Sequence, residues 1–81
     1  MTAKTASGRN GRLLYNERYD CWEVWDVYPK PVLVHCGEVY GLRVGQQFVP
    51  CRIELEEEWV IHVSQTRFIL HPDVSYWIWV T

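Results

Sequence analysis

The alternation of apolar and polar residues between Glu38 and Val63 constrains this chain more than any other feature. Val49, Cys51, Ile53 and Leu55 alternate with Phe48, Pro50, Arg52 and Glu54. A period of two kept over that length is the pattern of a half-buried antiparallel strand. Upstream, Glu38 to Val44 sets Tyr40, Leu42 and Val44 on one face, and Gly45-Gln46-Gln47 reads as a turn. Downstream, Glu56-Glu57 turns the chain, and Trp59, Ile61 and Val63 alternate with Glu58, Val60 and His62. The three segments predict a meander with one dry face.

The flanking segments extend the same reading. Residues 1–10 are Thr, Ala, Ser, Gly and Lys without apolar periodicity, and are expected to be a disordered tail ahead of a single small β domain over 11–81. Arg12 to Tyr15 reads as a short strand, Asn16-Glu17 as a turn and Arg18 to Trp25 as the returning strand of a hairpin. Trp22 and Val24 share a face with Asp20, so this alternation is imperfect and a bulge is one way to restore it. Asp26 to Pro31 is a loop, and Pro31 to His35 an edge strand whose proline sits at its start. Thr66 to Leu70 and Tyr76 to Val80, joined through His71-Pro72-Asp73, predict a last hairpin. Both of its strands are apolar on both faces, so each is expected to be covered on two sides, inside the domain or against a second copy. No stretch keeps helical spacing over the ~10 residues a helix needs. The fold class is therefore all-β: a small antiparallel barrel or curled sheet, SH3-like, of about six to eight short strands.

Size makes the aromatic content informative. At 81 residues the chain is one domain. Such a domain buries only about 60–65% of the surface its unfolded chain exposes. Its 5 Trp, 5 Tyr and 2 Phe are more than so small a core absorbs, so some are expected at the surface. Charge is unevenly spread. Residues 1–18 carry Lys4, Arg9, Arg12 and Arg18 against Glu17, a balance of +3, and residues 19–81 carry four cations against nine acids, a balance of −5. An acidic body disfavours general binding to nucleic-acid backbones and suits a basic protein partner. The 3 cysteines, Cys21, Cys36 and Cys51, are an odd number, and no run approaches a membrane span or a signal peptide. A cytoplasmic protein with reduced thiols is expected.

Several short motifs carry a family resemblance. Gly11-Arg12-Leu13-Leu14-Tyr15-Asn16, Arg18-Tyr19, His35-Cys36-Gly37-Glu38, Phe48-Val49-Pro50-Cys51-Arg52-Ile53-Glu54 and Glu58-Trp59 resemble a family of small bacterial proteins, domain of unknown function 5348 (DUF5348). The resemblance covers about residues 11–63. Phe48 stands where the family pattern has Trp, and Cys51 where it has Thr. Residues 64–81 lie past the matched motifs, so the C-terminal hairpin is expected to be particular to this chain. The resemblance implies a small β fold and a phage or mobile-element context, and it brings no activity or catalytic residue.

The chemistry-bearing residues offer little for catalysis. His35, Cys36, Cys51 and His62 lack the paired spacing of a structural zinc site, and neighbours in a strand point to opposite faces. Cys36 with His35 or His71 supplies the residue types of a thiol nucleophile without an oxyanion hole. No metal, no cofactor and no enzymatic activity are expected. The candidate partner-binding residues are the acidic run Glu54, Glu56, Glu57 and Glu58 at a turn, with Trp22, Trp25, Trp77 and Trp79 as aromatic anchors. Solvated turn charges and core aromatics are the structural alternative. The leading expectation is a non-catalytic protein-binding module, in its sharper form an inhibitor of a host nuclease or CRISPR effector through an acidic, aromatic surface. A small nucleic-acid-binding barrel, and a homo-oligomer joined through residues 66–80, are the other two classes.

Overall fold

The alternating middle of the sequence becomes the middle of a continuous antiparallel ladder. In a computed structural model, which describes residues 8–81, β4 (Glu38–Val44), β5 (Gln47–Leu55) and β6 (Trp59–Val63) pair in sequence order. Val44 pairs with Gln47 across the two-residue loop Gly45-Gln46. Gly45 sits at φ +64°, the left-handed region that a tight hairpin requires at its first loop position and that glycine enters without strain. Cys51, Ile53 and Ile61 are buried on the shared face, as the alternation requires.

Around this meander the chain adds β1 (Arg9–Asn16), β2 (Cys21–Trp25), β3 (Val32–Leu33), β7 (Thr66–Ile69) and β8 (Tyr76–Val80). All eight strands form one antiparallel sheet in the order β3-β2-β1-β8-β4-β5-β6-β7. The sheet is curled and does not close into a barrel: β3 and β7 remain as edges. Its two halves face each other across one core, so Leu13, Trp22 and Val24 of β1 and β2 belong to the same cluster as Ile53 and Ile61 of β5 and β6, with Ile78 between them. The segment after β3 ties the halves together. Val34 N–H donates to the Trp22 carbonyl, and Gly37 N–H donates to the Ile53 carbonyl.

The structure corrects three expectations. The C-terminal segments are not a hairpin: β7 pairs with β6, and β8 inserts between β1 and β4. Of residues 1–10, the first seven lie outside the described residues, while Arg9 and Asn10 pair with Val80 and Trp79 as the start of β1. The returning strand of the first hairpin starts at Cys21, not Arg18. Glu17 to Asp20 make the turn, and Asp20 stands at φ +51°. That turn removes Asp20 from the strand, so Trp22 and Val24 alternate cleanly inward without a bulge. Val60 also departs from the simple pattern. It is buried on the face opposite Ile61, flanked by Glu54 and Ile69 on the neighbouring strands.

Candidate functional site

The outer face of the sheet, turned away from the core, carries a row of large exposed side chains. Leu13 and Ile78 point inward, so Arg12, Trp77 and Trp79 point outward from adjacent strands. Arg12 lies directly between Trp25 of β2 and Trp77 of β8 in the strand register. Its guanidinium carbon sits 6.0 Å from the centre of the Trp77 ring, at the outer limit of a cation–π contact. Arg12 Nε also donates to Asp26 at 2.6 Å. Trp25 donates through its indole N–H to Glu23 at 3.1 Å.

The row continues beyond β8. Trp79 and Phe48 stand with ring centres 5.7 Å apart and tilted by 48°. Gly41, which pairs with Trp79 on one side and Pro50 on the other, makes this contact possible. A Cβ at Gly41 would stand 3.2 Å from the Cβ atoms of both Phe48 and Trp79. Trp77 is 50% exposed, Phe48 38% and Trp25 37%, whereas Trp79 is half-buried and lies against Gly8.

Each predicted site residue thus has a place, and the group divides. Trp22 is the correction. At 1% exposure it is the largest fully buried side chain, packed between Tyr15 and Tyr76 at 5.4 and 5.8 Å, and it is unavailable to a partner. Trp25, Trp77 and Trp79 share the outer face. Phe48 and Arg12 belong with them and were missed in the sequence. The strand alternation put Phe48 opposite the dry face, but only the strand order brings it next to β8.

The acidic run sits elsewhere, at the β5–β6 turn. Glu54 meets Arg52 at 2.5 Å and receives the Cys36 thiol at 3.5 Å. Glu56 receives Arg67 at 2.9 Å and stands 3.1 Å from His62. Hydrogen bonds from His62 and then Arg67 hold its carboxyl below the usual carboxylate range. Glu57 and Glu58 are exposed beside Trp59 and Pro72. Of the arginines on the outer face, Arg12, Arg52 and Arg67 each meet an acid, so the face carries little net charge. Arg43 is the exception among the described residues; it lies at the rim of a cleft beside β7.

The thiols and histidines stay apart. Among the described residues no three His, Cys, Asp or Glu side chains gather where a metal ion could be held. Cys51 is buried and Cys21 half-buried. Burial raises the pKa of both thiols, with Glu23 and Asp20 adding to the effect at Cys21 and a hydrogen bond to the Tyr40 backbone opposing it at Cys51. No helix among the described residues is long and apolar enough to cross a membrane.

These features define a small curled all-β domain with an aromatic, near-neutral outer face. The chain belongs to the family described as domain of unknown function DUF5348, whose model matches residues 11–80. The match runs through β7 and β8, past residue 63, so the C-terminal strands are part of the family's domain and not particular to this chain. No curated protein and no solved structure matches it.

Proposed function

We propose that this chain is a non-catalytic protein-binding module that engages its partner through the outer face around Trp77. One observation carries the reading: Trp25, Arg12 and Trp77 stand side by side across three strands, with Phe48 and Trp79 adjoining, Trp77 half-exposed and Trp25 and Phe48 more than a third exposed. Tryptophan and arginine dominate the binding energy of protein interfaces. A rigid sheet face holds them in place, so little side-chain entropy is lost on binding. The charge balance supports a protein over a nucleic acid. Stacking surfaces for single strands come with a positive groove, and here Arg12 is held by Asp26.

The sharper reading is an inhibitor of a host nuclease in a phage or mobile element, acting through the acidic turn as well. Glu57 and Glu58 favour it, since both project from the turn with exposed carboxylates. Glu54 and Glu56 are already engaged by Arg52 and Arg67 and offer less to a basic groove.

The test is capture from a bacterial lysate with the full chain as bait, with and without nuclease, repeated with Trp77→Ala and with Glu57→Gln/Glu58→Gln. A protein that survives nuclease and is lost with Trp77→Ala supports the outer-face reading. Capture that disappears with nuclease would replace it by nucleic-acid binding. Loss with the paired glutamine variant alone would move the site to the acidic turn.

A further inference from the structure

The two edges of the sheet are built differently. Edge strand β3 has two residues and is framed by Pro29, Lys30 and Pro31, the devices that keep a sheet edge from pairing. Edge strand β7 has four residues, all exposed, and only β6 beside it. Alongside β7 runs a cleft of about 410 Å³. Phe68, Ile69 and Leu70 all line it. Successive side chains of a strand point to opposite faces, so a cleft touching three in a row follows the backbone edge itself. The facing wall is Leu42, Val44 and Tyr76, where β4 and β8 part: their ladder pairs only Gly41 with Trp79 and Leu42 with Ile78. At the rim, Arg43 bonds only the Gly45 carbonyl, at 3.0 Å, and meets no acid among the described residues.

The geometry points to an extended peptide segment of a partner protein as the occupant, added to β7 as a further antiparallel strand. Its alternate apolar side chains fill the cleft, and one carboxylate meets Arg43. The unpaired N–H and C=O groups of β7 supply the main-chain hydrogen bonds that drive strand addition, and the apolar wall selects the side chains. Arg67 does not deter pairing, because its charge is held by Glu56. The cleft lining does not include Trp25, Trp77 or Trp79, although Arg43 at its rim pairs with Phe48 of the outer face.

Short synthetic peptides that alternate valine with threonine and carry one central aspartate test the assignment by NMR titration of the isotope-labelled full chain. Saturable shifts and slowed amide exchange at Thr66–Ile69, with shifts at Leu42–Val44, are expected. N-methylation of the alternate peptide amides that face β7 weakens binding at least about tenfold. Arg43→Glu weakens it as well, and a peptide carrying lysine in place of aspartate restores binding to that variant. Trp77→Ala leaves it unchanged, so failure here and failure of the outer-face reading are distinguishable. The assignment is overturned if β7 shows no saturable response, or if the methylated peptide binds equally well. A dimer in which β7 of one copy already covers β7 of another would overturn it too, and would give the cleft to a second copy.

Discussion

Trp22 and Trp77 are the same side chain on strands of one sheet, yet one is sealed in the core and the other half-exposed. Trp22 fills the space between Tyr15 and Tyr76. Trp77 has the Arg12 guanidinium beside its ring and is half-exposed. The difference shows how a domain this small divides its aromatics. One face takes those needed to join two halves of a curled sheet, and the surplus is displayed on the other. The inner face thus builds most of the core, and the outer face carries the exposed aromatics.

Substitutions at the two positions test that contrast. Trp22→Ala removes the largest buried side chain and leaves a cavity between Tyr15 and Tyr76, so a loss of about 3–5 kcal/mol is expected in urea unfolding. A loss under about 1 kcal/mol would mean the core closes over the gap and the division of faces is weaker than drawn. Trp77→Ala is expected to change stability by less than about 1 kcal/mol and to weaken partner binding by on the order of 2 kcal/mol. Calorimetry with the captured partner measures the second quantity, and equal losses in both would make Trp77 a structural residue.

Two smaller effects probe the meander, which both faces share. Gly45→Ala meets no atom within 4 Å, so its cost is the strained left-handed backbone alone, about 1 kcal/mol. Thermal unfolding should register it without any change in partner binding. Glu56→Gln tests the ion pairs on β6 and β7. The folded carboxyl is held below its ordinary pKa, so its stabilising contribution is complete above the unfolded value and fades as pH falls through the depressed one. Wild type should exceed the variant near neutral pH, and the two should converge on acidification. A gap that instead widened in acid would reverse the assigned direction.

The meander was legible because each of its strands alternates and each of its turns is local. Gly45 closes one hairpin within two residues, and the Glu56–Glu58 bend closes the next. The first hairpin was half legible. Asp20 looked like a strand residue on the face of Trp22, which blurred the alternation. Its positive φ shows that it belongs to the turn. The C-terminal strands misled in another way. Thr66–Leu70 and Tyr76–Val80 have the spacing of a hairpin, yet each finds a better partner elsewhere. Strand β8 is apolar on both faces because it is central, with Ile78 in the core and Trp77 and Trp79 outside.

The all-β class, the meander and its turns can be read from the amino-acid order alone, because these depend on residue period and on backbone preferences within a few positions. The position of β8 between β1 and β4 emerges only in the folded chain. That single insertion places Trp77 beside Arg12 and Trp79 beside Phe48, and so assembles the outer face. Strand order over such separations is set by which pairing buries most apolar surface across the whole sheet. That quantity belongs to the folded chain, and no local pattern carries it.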